Sequence, residues 1–291
     1  MINNIRSKQV IIIVAMLVLV GFLFTREIKG LVKPKDEAGQ APMASTNKAA
    51  NTPQLSIEEV STTAKNLISG ASAKEISALE AAYLSASGSD KNTQATLLAQ
   101  KWDDLEHAIP SAMYLEVVAK GDPSLTHWVT AGDRFMKAFD NTNQQDSVVR
   151  PVMLQKANAA FTSALALDSS STAAKTGLGI TIVNGMGAPM QGITMLLEVV
   201  KKEPKNLKAN MNLGMFAIKS GQFDKAITRF NDIISNIKAT PDAYFYLATA
   251  YESLGKNKEA IDAYLNSKKL AASPTLSKFI DTKVTELKNK R

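Results

Sequence analysis

The chain has 291 residues, of which 45% are apolar and 6% aromatic, so it is long enough to bury a substantial core. It contains no cysteine, which excludes disulfides, thiolate metal sites, a cysteine nucleophile and a lipid-modified cysteine. The formal net charge of +7 is modest for this length, and no basic helix is interleaved with aromatic residues, so we predict no nucleic-acid binding.

The first predicted element is a transmembrane anchor over residues 9–25, which follows a short N-terminal tail of residues 1–8. Its centre, Val10 to Phe24, is apolar throughout and is bounded by Lys8 and Arg26. At 1.5 Å per residue, this centre is somewhat shorter than the roughly 30 Å hydrocarbon core, so the flanking residues have to complete the span. A cleaved secretory signal is the alternative, although no Ala-x-Ala-like cleavage site follows the apolar run.

The orientation of this anchor depends on two features that disagree. The positive-inside rule, applied to the basic residues between Arg26 and Lys35, keeps the C-terminal side in the cytoplasm. The tail before the apolar run is short, basic and free of acids, which is the layout of a signal-anchor whose downstream domain is exported. We favour export and keep a cytoplasmic domain as the alternative.

Residues 26–54 are predicted to be a disordered linker. Between residues 33 and 53 the linker is rich in Ala, Pro, Lys, Asn and Thr and has almost no large apolar side chain. Such a segment cannot bury enough apolar surface to offset the entropy of ordering, so we interpret it as a flexible tether.

Two capping helices are predicted over residues 55–90. Ser56 and Glu59 form a capping box ahead of apolar residues at helical spacing, and this helix extends up to Gly70. A second box, Ser72 with Glu75, is predicted to begin the next helix. Neither helix carries the pattern that recurs further along the chain.

The strongest pattern lies in residues 206–274, where one set of residue types occurs twice in register. A leucine with a small residue, a glycine, an Ala-Ile pair and an aromatic residue each recur after about 34 positions. The matching pairs are Leu213-Gly214 with Leu247-Ala248, Gly221 with Gly255, Ala226-Ile227 with Ala260-Ile261, and Phe230 with Tyr264.

Local signals in the second copy predict a pair of helices. Thr240 is a good N-cap and Pro241 tolerates the first helical position, where its missing N–H is harmless. Gly255 can adopt the left-handed conformation that ends the first helix. The small Ala248 and Ala260 allow the two helices to lie close together.

This pattern resembles the tetratricopeptide repeat (TPR) family. The resemblance implies an all-α solenoid of antiparallel helix pairs that binds other proteins. Trp128 to Phe135 and Leu178-Gly179 are similar to the family pattern with substitutions. The resulting units are a degenerate TPR-like unit at 91–124, an extended TPR at 125–172, TPRs at 173–206, 207–240 and 241–274, and a C-terminal capping helix at 275–291. About a dozen additional residues near 140–151 predict extended helices or a protruding loop.

We find no arrangement of residues that indicates an enzyme. The stretch Gly185 to Gly192 lacks the third glycine at the spacing Gly-x-Gly-x-x-Gly, and it lacks the Gly-Lys-Ser/Thr of a phosphate loop. We therefore interpret it as a turn between helices. His107 and His127 have no second ligand at metal spacing. The acidic cluster that includes Asp103 is interpreted as a solvated face. We therefore predict no catalytic residue, cofactor, metal or small-molecule substrate.

The predicted partner-binding groove lies on the first helices of the two best repeats. It comprises Lys208, Met211, Asn212 and Met215 on one helix, and Phe245, Tyr246, Thr249 and Glu252 on the next. Lys208 and Asn212 are too few for a carboxylate clamp, so the groove is predicted to hold a peptide or an amphipathic helix by apolar contact. The alternative is that Phe245 and Tyr246 pack against the adjacent repeat.

The chain is most similar to the membrane-anchored TPR proteins of Gram-negative bacterial envelopes. This resemblance implies a non-catalytic scaffold or chaperone-like adaptor in the bacterial inner membrane, with its C-terminal domain in the periplasm. An auxiliary structural subunit of an envelope enzyme or of a transport or assembly complex is the alternative.

Overall fold

A computed structural model describes residues 55–289, which form thirteen α-helices and, within that range, no β-strand. The predicted tail, the anchor at residues 9–25 and the linker up to residue 54 lie outside the described residues, so they stay predictions. Within the described part, no helix combines the length and apolarity needed to cross a membrane.

The thirteen helices are numbered in chain order. They are α1 Ile57–Lys65, α2 Gly70–Ser85, α3 Gly88–Asp104, α4 Ala108–Gly121, α5 Leu125–Asn141, α6 Val149–Leu167, α7 Thr172–Thr181, α8 Pro189–Lys202, α9 Leu207–Lys219, α10 Phe223–Asp232, α11 Pro241–Ser253, α12 Asn257–Leu270 and α13 Pro274–Asn289. Short π-helical segments, Ile182–Met186 and Ile233–Ile237, continue α7 and α10.

The helices form an α-solenoid in which most contacts join neighbours along the chain. From α3 to α12 the helices form pairs across short turns: α3 with α4, α5 with α6, and so on to α11 with α12. The second helix of each pair also packs against the first helix of the next pair, and α13 covers the end of the array. Because each unit contacts mainly its neighbours, the buried core runs along the array.

Two of the three predicted helix starts are confirmed. At α1 the Glu59 amide donates to Ser56 Oγ at 3.1 Å and the Ser56 amide donates to Glu59 Oε2 at 3.3 Å, which completes the capping box. At α11 the Ala243 amide donates to Thr240 Oγ1 at 3.1 Å. The predicted start at Ser72 is wrong.

The N-cap of α2 is Ser69, whose Oγ accepts from the Ser72 amide at 3.2 Å. Ser69 satisfies an N-terminal amide one turn earlier than predicted, so Ser72 lies inside the first turn and Glu75 further along the helix. The Ser72 hydroxyl contacts the capping residue itself, since it accepts a hydrogen bond from Ser69 Oγ at 3.0 Å.

Three helix pairs share one type of turn. Gly221 and Gly255 have φ values of 73° and 71°, and the residue after each glycine donates its amide to the carbonyl five positions earlier. This left-handed ending is the Schellman type and confirms the predicted role of Gly255. In the turn between α3 and α4 the same position is held by Glu106, with φ 62°.

Small residues at the helix crossings are confirmed as close-contact positions. A Cβ added at Gly214 would lie 2.6 Å from the Phe230 ring, which is itself fully buried. Ala226, Ala248 and Ala260 are fully buried as well. The pattern of small residue and aromatic therefore sets the distance between the two helices of a pair.

The additional residues near 140–151 lengthen α5 and α6 and form the loop between them. These helices have 17 and 19 residues, compared with 13 and 10 in α9 and α10. Arg150 holds the loop, since its Nη1 donates to the carbonyls of Phe139 at 2.6 Å and Thr142 at 3.1 Å. Its guanidinium also lies 3.7 Å from the centroid of the Phe139 ring.

Candidate functional site

The first helices of successive pairs approach one another on one side of the array. Direct contacts join α5 to α7, α7 to α9 and α9 to α11. We call the surface that these helices share the inner groove. It includes Asp133, Asp140, Asn184, Lys208, Met211, Asn212, Met215, Lys219 and Tyr246.

The predicted residues of α9 lie in the inner groove and link it to α5. Lys208 forms an ion pair with Asp133 of α5, and its Nζ lies 5.8 Å from the centroid of the Phe161 ring. Asn212 donates its amide group to the Lys208 carbonyl at 2.8 Å. Met211 and Met215 are half-buried against the apolar cluster of the last helices. The two methionines thus expose part of their surface beside the ion pair of Lys208 and Asp133.

Cations from two other helices, Arg150 of α6 and Lys208 and Lys219 of α9, act electrostatically on Asp140, near the end of α5. Asp140 is exposed at the surface, yet neighbouring protein atoms partly desolvate its carboxyl and raise its pKa, although the positive charges of Arg150, Lys219 and Lys208 act to lower it. Lys219 of α9 also reaches the π-helical segment after α7, where its Nζ lies 3.4 Å from Asn184 Oδ1. The inner groove therefore carries charges of both signs.

Tyr246 of α11 forms the aromatic wall of the inner groove. Its ring stacks on Phe230 with centroids 5.8 Å apart and an interplanar angle of 20°. Burial is the main reason why the pKa of its hydroxyl is raised, and the negative charges of Asp242 and Asp140 add to the effect. Because Tyr246 is half-buried, its side chain contributes to packing and part of its surface stays accessible to solvent.

The other predicted residues of α11 face the final helices. Phe245 contacts the Tyr264 ring edge-on at 5.5 Å between centroids and lies 5.9 Å from Phe279 of α13. Glu252 accepts a hydrogen bond from the Tyr264 hydroxyl at 2.8 Å. Thr249 also bonds to this hydroxyl, whose pKa rises to about 12, chiefly through burial.

Lys283 of α13 completes this second group, with its Nζ 3.2 Å from Glu252 Oε1. The structure thus divides the eight predicted residues into two sets. Lys208, Met211, Asn212, Met215 and Tyr246 share the inner groove. Phe245, Thr249 and Glu252 are engaged in contacts between α11 and the last two helices.

Sequence reasoning missed four polar members of the inner groove: Asp133, Asp140, Asn184 and Lys219. Asp133 and Asp140 are seven positions apart on α5, a spacing that puts them on the same helix face. That spacing is a usable signal. Their proximity to residues of α9 and α11 depends instead on how the units stack, which no short sequence pattern specifies.

The residues considered for chemistry have structural roles. His127 Nδ1 lies 2.7 Å from the Asp122 carbonyl, and the His107 ring meets Trp102 edge-on at 5.6 Å. Asp103 is not merely solvated, since it forms an ion pair with Arg134 at 2.6 Å. Among residues 55–289, no group of three or more histidines and acids is arranged to hold a metal.

The stretch Gly185 to Gly192 includes the predicted turn between helices, which is limited to Gly187 and Ala188. It contains the end of the π-helical segment and the start of α8 at Pro189. Gly185 has a φ of 133°, which a residue with a side chain rarely adopts.

Comparison with known proteins identifies the repeat. Residues 217–275 match the family model described as tetratricopeptide repeat. This segment is TPR sequence. It contains α10, α11 and α12, and so the whole of the repeat that carries Leu247-Ala248, Gly255 and Ala260-Ile261. The TPR assignment of the strongest sequence pattern is therefore confirmed.

Two solved structures share the fold of the described residues. A thermophilic TPR protein from Thermus thermophilus aligns with a TM-score of 0.55 at 16% identity, over 67% of this chain and 99% of its own. PilW, described as a widely conserved type IV pilus biogenesis factor, aligns with a TM-score of 0.50 at 17% identity, over 67% and 90% of the two chains. These similarities confirm a TPR-type α-solenoid. No curated protein matches the sequence.

Proposed function

We propose that this TPR chain is a non-catalytic protein-binding scaffold or chaperone-like adaptor whose inner groove binds a segment of a partner protein. The observation that carries the proposal is that α5, α9 and α11 share one surface with partly exposed methionines, an aromatic face and charges of both signs. Methionine side chains adapt to different apolar partners, and aromatic anchors commonly dominate the affinity of such interfaces.

The charges of the inner groove argue for a particular kind of segment. Lys208 is paired with Asp133, so it is not an unpaired cation that could clamp a terminal carboxylate. Lys219 and Asp140 add one charge of each sign. A helix or extended peptide that carries apolar residues together with both acidic and basic groups complements this surface better than a strongly acidic tail.

The proposal also includes a membrane anchor at residues 9–25 and a periplasmic location for the solenoid in a bacterial cell. Support comes from the apolar run Val10 to Phe24, the basic tail before it and the polar linker after it. A linker of this composition gives the solenoid reach from the membrane surface.

Site-specific photo-crosslinking in the full-length, membrane-extracted protein tests the groove. A photoreactive residue at Asn212 places the probe in the inner groove, and one at Lys256 places it in the exposed turn between α11 and α12. We expect one discrete partner at Asn212 that is absent at Lys256. Tyr246→Ser in the Asn212 probe protein should weaken that crosslink while the helical content is retained.

Equal products at Asn212 and Lys256 would show that the inner groove is not the binding surface. A crosslink at Asn212 that survives Tyr246→Ser and Asp140→Lys together would also contradict the proposed contacts. If the partner is recovered only as part of one stable multisubunit assembly, the chain acts as an auxiliary subunit of that assembly.

A further inference from the structure

A second concave site lies outside the inner groove, between α1, the start of α4 and the loop that joins α5 to α6. It is a cavity of about 390 Å³. Its walls are mainly apolar and include Val60, Leu67, Ile109 and Val149. Leu67 is 73% exposed, so the cavity leaves a large apolar side chain in contact with solvent at its edge.

The charged groups around this cavity are acidic. Glu59, Glu106 and Asp146 line it, and no lysine or arginine of the described residues does. None of these three carboxylates takes part in an ion pair with another described residue. In a chain with a net charge of +7, this is a local acidic rim around an apolar opening.

The position of Glu106 adds an independent argument. Gly221 and Gly255 occupy the equivalent left-handed position in two other turns, with φ values of 73° and 71°, whereas Glu106 adopts φ 62°. The hydrogen bonds of the three turns match: His107, Gln222 and Lys256 each donate to the carbonyl five residues earlier. Glycine adopts this conformation without strain, so the glutamate places a carboxylate at the cavity rim at a conformational cost.

We propose that this cavity binds an apolar side chain from a segment of a partner protein in which lysine or arginine residues flank that side chain. The apolar walls accept the anchor, and the acidic rim complements the flanking cations. Its volume is within the range of small binding pockets, which suits one or two aliphatic or aromatic side chains. This site would allow the chain to engage a partner through a surface separate from the inner groove.

A titration with defined peptides tests this proposal. Because the chain has no cysteine, Thr63→Cys gives one attachment point at the cavity for an environment-sensitive dye. The full-length protein in zwitterionic nanodiscs is titrated with the hexapeptide Lys-Lys-Leu-Leu-Lys-Lys. The controls are Lys-Lys-Ser-Ser-Lys-Lys, which has no anchor, and Glu-Glu-Leu-Leu-Glu-Glu, which has the wrong charge. A dye at Lys256→Cys controls for binding elsewhere.

We expect saturable binding of the first peptide at the Thr63 position only, weakened by added salt. Glu106→Gln and Glu106→Gly should each lower the affinity by about two- to fivefold, the effect of removing one exposed charge pair. Glu106→Gly should also melt at or above the wild-type temperature, because glycine relieves the left-handed backbone. A fold defect therefore cannot explain its loss of affinity.

The proposal is overturned if the Lys-Lys-Ser-Ser-Lys-Lys or Glu-Glu-Leu-Leu-Glu-Glu peptide binds as tightly as the first. It is also overturned if both Glu106 variants keep the wild-type affinity, or if the dye at Lys256 reports the same binding curve. Failure of this test leaves the inner groove unaffected, because that groove is probed at Asn212.

Discussion

Gly214→Ala is the substitution whose effect can be worked out most completely from the contacts of α9 with α10. The added Cβ would lie 2.6 to 3.0 Å from three atoms of the Phe230 ring. That ring is fully buried and stacked against Tyr246, so it has little space into which to move. Contacts this short require a shift of backbone or ring.

Two effects of opposite sign determine the outcome of this substitution. Alanine is better than glycine inside a helix by about 0.8 to 1 kcal/mol. Overpacking a tight core contact costs about 1 to 3 kcal/mol. We therefore expect a net loss of up to about 2 kcal/mol, which for a chain of this size lowers Tm by about 4 to 8 °C at the upper limit.

Thermal unfolding of the full-length protein, followed by circular dichroism, measures this effect. Gly70→Ala is the matched control because a Cβ there has no neighbour within 4 Å, and its φ is not in the left-handed region. The control should keep or raise Tm, whereas Gly214→Ala should lower it. The same upward shift for both variants would refute the idea that Gly214 sets the distance between the paired helices.

Three further predictions concern packing, charge and topology. Replacing the fully buried Ala226 or Ala260 by leucine should cost about 1 to 3 kcal/mol in the free energy of unfolding, while Lys256→Gln should change it little. Equal losses for the two kinds of substitution would show that the helix crossings are assigned to the wrong residues. The raised pKa of Asp140 means that its ionised form opposes folding, so stability falls as pH rises through the interval between its unfolded and folded pKa values. Asp140→Asn should therefore raise Tm at neutral pH, with the difference vanishing below the ordinary pKa of 3.8, and an equal shift at all pH values would contradict this electrostatic cause. A reporter active only in the periplasm, fused after Arg291, should be active in membrane-bound protein; activity of a cytoplasmic reporter alone would reverse the proposed orientation.

The sequence predicted the parts of the fold that depend on local spacing. Gly255, Thr240 and the capping box at Ser56 act within a few residues, and Ala226 and Ala260 recur at the period of the repeat. The capping and turn signals are each complete within one helix or one turn, and the recurring alanines need only the length of one repeat. The error at Ser72 has the same local origin, because two serines three positions apart both satisfy the requirements of an N-cap.

The inner groove was predicted only in part, because its members come from different units. The α9 residues were identified from their helix face, but Asp140 and Lys219 interact electrostatically across helices far apart in the chain. Phe245 and Glu252 belong to the first helix of a strong repeat, yet they contact α12 and α13. The position of α13 determines which side of α11 stays accessible. The sequence of α11 itself contains no pattern that predicts where α13 packs.

Hydrogen–deuterium exchange of the full-length protein with its crosslinked partner, once purified, tests the central claim most directly. Binding in the inner groove predicts new protection of the backbone amides in α5, α9 and α11. Exchange in α12 and in the exposed turn at Lys256 should stay unchanged. Protection confined to the second helices of the pairs, with α9 and α11 exchanging as in the free protein, would contradict the account.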